Sequence, residues 1–502
     1  MKKALKNIIA SILPQLVNIV TNLVLPGLII IKFGSEINGL VSTIKTIITY
    51  IGLVGAGIAA AVTQALYEPV SKKDDMKTMG MLHSAGNMFN KYGFLFCLIT
   101  IIVAFAYPFF LSTEINYWTM VLLLVVMSFS GASEFFAIGR HRALLYADQK
   151  VYVCSLIQAA SLALSFVLAI IMLRMNSNII IVEFSITLVY VLRGFFLSLY
   201  VSAKYPNLKK YRKIEPNYEA TSKRNDAMIH QLSGVLVAGS QSIILSVFVG
   251  LEAASIFAVY NIVFAGLQSI CSNMSTAVTP FLGKKMALGE KEQLNKLYDL
   301  VELFFFILVS FLYSVTAITI LPFVSIYTKG ADISYYYPTF AYLFVLSSSI
   351  YILKLPSISV INISGHFKET RIHAILEAII CVAISISLTL AIGKNGVLIG
   401  TAVAMGFRCL ATIIYSEKKI LGIDSKRSLS RVFSVFLLLV FACFVESKIE
   451  YQPSNYLEWI FMASIASIIA IFIIVIALLT FENDTLSYGL SLIKKKNGTE
   501  TK

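Results

Sequence analysis

Four basic residues stand where water should be scarce. Lys45, Arg193, Lys354 and Arg408 each fall inside a long apolar run of the 502-residue chain. A charge in a membrane interior is costly, so it faces a water-filled cavity or an opposite charge, unless it snorkels to the boundary. Lys45 shares a helical face with Ser42 and Thr49, Lys354 with Ser347 and Tyr351, and Arg193 with Tyr190. Gln15, Asn18 and Asn22 make a polar stripe on the first run, which can line a path or bond neighbouring helices together. A cavity lined by Arg and Lys favours an anion, and the guanidinium fork suits a diphosphate. Arg140 and Arg142, either side of His141, close the fourth run, as topology signals or as a first contact for an anionic substrate. The interior acids Glu134, Glu302 and Glu377, with Glu183 near a run's end, could carry a coupling proton or sodium ion, or pair with a base. Glu134 and Lys354 lie in corresponding runs of two halves, which suggests one such pair.

The elements that must hold these residues follow from composition. Hydrophobic residues make up 58% of the chain and charged residues 14%, against roughly 25% charge in soluble domains. That balance excludes a soluble enzyme, a secreted disulfide scaffold and a disordered chain. The fold class it predicts is all-α: a polytopic membrane protein of about fourteen spans. The runs cover residues 8–31, 38–66, 88–111, 117–139, 151–173, 179–203, 228–249, 253–281, 300–327, 337–363, 370–392, 395–416, 428–447 and 456–480. They do not alternate polar and apolar as barrel strands do. The basic start, Met1-Lys2-Lys3, leads into a run too long for a signal core and reads as the first span. The six cysteines all sit in apolar runs without metal-site or redox spacing, and the sequence calls for no metal or cofactor. Glycines 52, 55 and 57 are expected to permit close helix packing.

Charge sets the orientation. With the N-terminus cytoplasmic, the inner loops and helix ends carry 32 of the 41 Lys and Arg residues, the outer loops five and the span interiors four. Basic residues concentrate on the cytoplasmic side, so the net charge of +14 points to the membrane rather than to nucleic acid. Both termini are then cytoplasmic, and a multi-pass protein of a bacterial inner membrane is expected.

The halves repeat. Shifted by 216, residues 15–66 align without gaps on 231–282: Gln15-Leu16 meets Gln231-Leu232, Gly34 meets Gly250, Glu36 meets Glu252, and Ala61-Val62-Thr63 meets Ala277-Val278-Thr279. The same shift sets Lys45 against Asn261, which shares a face with Gln268, and Arg193 recurs as Arg408 at a shift of 215. The expected organisation is an N-lobe over 1–205 (spans 1–6), a cytoplasmic linker over 206–226, a C-lobe over 227–418 (spans 7–12), and two further spans with a tail over 419–502. Parallel repeats of this kind suit a transporter that works by alternating access.

Phe33-Gly34-Ser35-Glu36-Ile37-Asn38-Gly39-Leu40, followed by Tyr50, Leu53, Gly55, Gly57, Ala60 and Ala61, resembles the Wzx-type polysaccharide flippases. These belong to the MOP superfamily, with the MATE drug exporters and the MurJ-type lipid II flippases. The chain departs from that pattern at Asn38 and Gln64. The resemblance implies a non-enzymatic transporter moving an undecaprenyl-diphosphate-linked oligosaccharide to the outer leaflet for surface polysaccharide synthesis. Its implied partners are that lipid-linked substrate, membrane lipids, and polysaccharide polymerase and glycosyltransferases. It implies that Arg193, Arg408, Lys45 and Lys354 hold diphosphate and sugar; Asn18, Asn22, Asn261, Gln268, Arg140 and Arg142 are the further candidates for substrate contact, and Glu134, Glu377 and Glu302 for ion coupling. The alternative reading is a MATE-like, ion-coupled exporter of small cationic compounds. A membrane enzyme is disfavoured, since no sizeable outer loop and no His/Asp constellation is present.

Overall fold

A computed structural model describes residues 2–206, 225–482, 485 and 487. The described residues form helices and no β-strand. In chain order these are α1 (Lys2–Phe33), α2 (Ser35–Gly52), α3 (Ile58–Ser71), α4 (Asp75–Ala106), α5 (Tyr117–Ser133), α6 (Gly139–Ala147), α7 (Val151–Arg174), α8 (Ile179–Lys204), α9 (Asn225–Phe248), α10 (Leu251–Ala287), α11 (Lys291–Tyr327), α12 (Pro338–Leu353), α13 (Leu355–Ser364), α14 (Phe367–Ile392), α15 (Lys394–Tyr415), α16 (Lys426–Glu446) and α17 (Tyr456–Phe481). Thirteen helical stretches among the described residues are long and apolar enough to cross a membrane. α9, apolar over Ser233–Phe248, stands where a further span was expected.

The repeat shows in where helices begin. The starts of α2, α4 and α7, at 35, 75 and 151, recur 216 residues later as the starts of α10, α11 and α14, at 251, 291 and 367. Gly34 and Gly250, at equivalent positions, both adopt positive φ, +86° and +125°, which only glycine takes without steric penalty. The repeats then diverge. The expected single span over 38–66 is two helices: α2 ends at Gly52, a 3₁₀ turn spans Leu53–Gly55, and Gly57 at φ +80° starts α3. Of the three glycines expected to allow packing, Gly55 does so, since a Cβ there would come within 2.2 Å of the Phe135 ring; Gly57 instead makes the break. The expected starts at 88 and 300 fall too late, because polar, charged turns extend α4 and α11 beyond their apolar cores.

Contacts divide the chain into two compact units, residues 1–258 with 331–333, and residues 259–330 with 334–502. The division falls inside α10 rather than in the polar segment 206–226, most of which lies outside the described residues. In unit 1, α9 and the first turns of α10 pack on α2. Gly39 lies so close to α10 that a Cβ would meet the Leu251 carbonyl oxygen at 1.9 Å. Asn38 donates to Ser255 Oγ at 2.7 Å, and the hydroxyls of Thr43 and Ser242 lie 3.1 Å apart. Asn38, a departure from the family pattern, is thus a buried helix-to-helix tie. In unit 2, α16 and α17 both pack on α11.

α2 is capped from afar. Gly34 has no side chain to accept from the first turn, and Asp332 supplies the acceptor: its carboxylate takes the Ser35 N–H at 3.0 and 3.1 Å and the Ser35 hydroxyl at 2.5 Å. Partial burial pushes the Asp332 carboxyl up, but the hydrogen bonds from Ser35 outweigh it and hold the group below the usual aspartate range. A carboxyl depressed in the folded state stabilises above its unfolded pKa, and the contribution fades as pH falls through the folded one. Asp332→Ala should cost about 1 kcal/mol at neutral pH, as for a lost N-cap. Thermal unfolding in detergent should show the gap from the parent narrowing below about pH 3.9, the ordinary aspartate value.

Candidate functional site

The interior charges resolve into pairs within each unit. In unit 1, α5 passes into a π-helical turn, Glu134–Ile138, before α6, and the Gly139 N–H bonds the Glu134 carbonyl five residues back. A π turn inserts one residue into the helix. Glu134 and Arg142, eight apart, therefore take the register of an i, i+7 pair and share a face. Arg142 Nη1 lies 2.9 Å from Glu134 Oε2, and Arg193 Nη1 from α8 lies 3.7 Å from Oε1. Gly139 is required here, because a Cβ would sit 2.8 Å from the Glu134 carbonyl oxygen and 2.5 Å from the Phe89 ring.

In unit 2, Lys354 occupies a break between α12 and α13, where Pro356 lacks the N–H that would continue the helix. Its ammonium lies 2.6 Å from Glu377 Oε1 and 5.1 Å from the centre of the Tyr351 ring. Arg408 Nε is 3.7 Å from Glu377 Oε2, and its Nη1 donates to the Thr370 carbonyl at 3.1 Å. Glu302 on α11 accepts from Arg431 Nη1 at 2.6 Å and from Ser428 at 2.8 Å. Arg431 also holds Asp299 and Glu482, so this cluster clasps α16 to α11.

These pairings bear on seven of the residues singled out in the sequence. Arg193, Arg408 and Lys354 are each only 5% exposed and are committed to carboxylates, so they neither snorkel nor present free charge. The physical reason is desolvation: a buried cation persists only with an opposite charge at hand. Glu134 and Lys354, suggested as a pair, each have an oppositely charged partner within their own unit. Glu134, Glu377 and Glu302 are likewise bound to cations rather than open to a coupling ion. Arg142 is spent on Glu134, while Arg140 lines a different cavity. Asn261 and Gln268 are half-buried on α10 in unit 2.

Lys45, Asn18 and Asn22 do come together. They line a cavity of about 310 Å³ in unit 1, walled by α1, α2, α5, α7 and α8. Lys45, Asn18, Asn22 and Thr49 are exposed to it. Two oxygens in its wall, Glu183 Oε1 and Ser165 Oγ, are buried without a hydrogen-bond partner. Glu183 is 2% exposed, and Lys45 is the cation whose charge acts on it. Buried polar atoms are nearly always satisfied, so this pair of orphans marks where a ligand's polar groups or water would sit. Thr21, Thr49, Ser130, Ser165, Thr187 and Tyr190 complete the polar lining. Sequence patterning picks out Lys45 and the α1 stripe, but hydroxyl residues are too common in membrane helices to signal a lining alone.

If Glu377 neutralises two cations, removing its charge strands both. Glu377→Gln should destabilise the protein by about 3–5 kcal/mol, whereas the apolar triple variant Lys354→Met, Glu377→Leu, Arg408→Leu should recover most of that loss. Unfolding in detergent distinguishes the two.

The fold matches solved structures at low identity. An inward-facing multidrug resistance MATE family transporter of the MOP superfamily superposes with a TM-score of 0.62 at 14% identity, over 89% of this chain and 100% of that one. The lipid II flippase MurJ, in an inward closed conformation, gives 0.62 at 15% identity, over 95% and 99%. A MOP superfamily transporter from Pyrococcus furiosus, described as having a binding pocket of reverse polarity that suggests a different function, gives 0.51 at 12% identity, over 89% and 97%. No protein-family model matches the chain, and no curated protein matches it by sequence. The chain therefore has the fold of MOP superfamily transporters.

Proposed function

We propose that the chain is a flippase, carrying a lipid-linked oligosaccharide diphosphate of the undecaprenyl type from the inner to the outer leaflet by alternating access, for surface polysaccharide synthesis at a bacterial cytoplasmic membrane. The observation that carries this reading is the unit 1 cavity, in which one exposed ammonium stands among amides and hydroxyls. Lys45 offers three donors to phosphate oxygens. Asn18, Asn22 and Thr49 offer the mixed donors and acceptors that sugar hydroxyls require. Glu183 and an incoming phosphate compete for the same ammonium, so substrate arrival changes the charge balance around Glu183. That makes Glu183 a better candidate for ion coupling than the paired acids. Arg193, Arg408 and Lys354 act in this reading as positioning residues that hold helices through Glu134 and Glu377. Asn261 and Gln268 supply further polar contacts from α10. Polysaccharide polymerase and glycosyltransferases are the partners the reading implies.

One observation favours a second reading. Glu183 turns an unpartnered carboxylate oxygen toward the cavity, an arrangement that would also suit ion-coupled export of a small cation. Proteoliposomes separate the two. With a fluorescent polyprenyl-diphosphate oligosaccharide, Lys45→Ala should slow flipping at least tenfold while Lys45→Arg retains a substantial part. Undiminished flipping by Lys45→Ala removes Lys45 from the mechanism. Uptake of a cationic dye that is abolished by Glu183→Gln, without any flipping, establishes the exporter instead.

A further inference from the structure

A second cavity in unit 1, about 450 Å³, lies where α4 begins and where α6 and α8 end. This is the end of the bundle that carries the basic segments around Lys72, Lys73, Lys77 and Lys204. Its volume falls within the ~300–1,000 Å³ of small-molecule sites. Neither the pairing of interior charges nor the Lys45 cavity uses it.

Its lining is divided by chemistry. Arg140, His83, His141, Ser198 and Ser202 supply the polar side, and Met79, Leu82, Leu144 and Val201 the apolar side. The Arg140 guanidinium lies along α4 where Gly86 leaves room, a Cβ there meeting Nη1 at 3.5 Å. His141 Nδ1 is 2.7 Å from the Ala137 carbonyl oxygen. A carbonyl only accepts, so Nδ1 carries the hydrogen. Nε2 then accepts when the ring is neutral and donates when it is protonated. Asp148, bonded to the lining residue Tyr205, is engaged: Lys150 lies 2.6 Å from it, and the Tyr205 hydroxyl donates to it at 2.5 Å. The cavity thus holds a planar cation, two imidazoles and two hydroxyls. Arg with hydroxyl donors is the combination that grips phosphate oxygens, and the apolar wall suits the carbon chain that a lipid phosphate carries.

We propose that this cavity binds a phosphate-bearing lipid headgroup at the basic end of unit 1. Two sources share that chemistry, the diphosphate of a polyprenyl-linked substrate and the phosphodiester of a bulk anionic phospholipid. In the first case the site is a loading station for the substrate and rests on the flippase reading; in the second it anchors the protein to its bilayer whatever the cargo.

Native mass spectrometry of the full-length protein in neutral detergent tests this, with farnesyl diphosphate, phosphatidylglycerol and a phosphate-free diacylglycerol as probes. The expected result is saturable retention of one phosphate-bearing lipid and none of diacylglycerol. Arg140→Gln should weaken retention at least tenfold, and Arg140→Lys less. Ser202→Phe, which fills the cavity without removing charge, should abolish it even if Arg140→Gln fails to fold. The retention that Arg140→Gln removes should persist in Lys45→Gln; retention that only Lys45→Gln removes belongs to the other cavity and overturns the site. Tighter retention of farnesyl diphosphate identifies the substrate as the ligand, and tighter retention of phosphatidylglycerol identifies the bilayer; both support the site. Equal retention of diacylglycerol, or parent-like retention by Arg140→Gln and Ser202→Phe, overturns it. A flipping assay that fails while this binding persists sinks the transport reading alone.

Discussion

Among the described residues, the deeply buried cations Arg193, Lys354, Arg408 and Arg431 are each held against a carboxylate. The cost of stripping water from a guanidinium or ammonium is several kcal/mol per ion, and three carboxylates meet it for four cations: Arg193 against Glu134, Lys354 and Arg408 against Glu377, Arg431 against Glu302. Each pair joins elements distant in sequence, so electrostatics and helix packing are one constraint. The pairs also sort the interior charges by role. A residue that has spent its charge on a neighbour fixes the scaffold. Lys45, which lines a cavity, is placed to meet a ligand.

The scaffold bends to satisfy that constraint. The π turn after Glu134 re-aims α6 so that Arg142 returns to the same carboxylate, and the interruption at Lys354 sets an ammonium within reach of α14. Irregular backbone inside a membrane is tolerated where it is buried or lines a cavity; the break at Lys354 is buried, and the π turn buries Phe135 and Ile138. The two arginines related by the repeat find acids on non-equivalent helices, Glu134 on the α5 side of unit 1 and Glu377 on α14 in unit 2. The repeat therefore conserved the cation's place while each half solved the counter-charge separately.

How much of this could be read in the sequence depends on range. The helices were legible because lipid demands long apolar runs; the 216-residue offset that aligns Gly34 with Gly250 recurs between helix starts, although the runs read from sequence began at 38 and 253 where the helices begin at 35 and 251. Ends were not, since α4 and α11 continue through polar turns that carry no hydropathy signal. Lys45 was legible as a cavity residue because its helical neighbours Ser42 and Thr49 are polar. The burial of Arg193 and Arg408 was not, because their partners lie 59 and 31 positions away along the chain. Nor does sequence distinguish Gly55, which admits an aromatic ring, from Gly57, which ends a helix. Both are small, and only the backbone tells them apart.

That last distinction gives the two repeats different builds. α10 runs as one helix for 37 residues, with Pro280 near its end, about 55 Å at 1.5 Å per residue. Its counterpart in the first repeat is severed at Gly57. A glycine joint thus divides in the first repeat what the second repeat builds as one continuous helix.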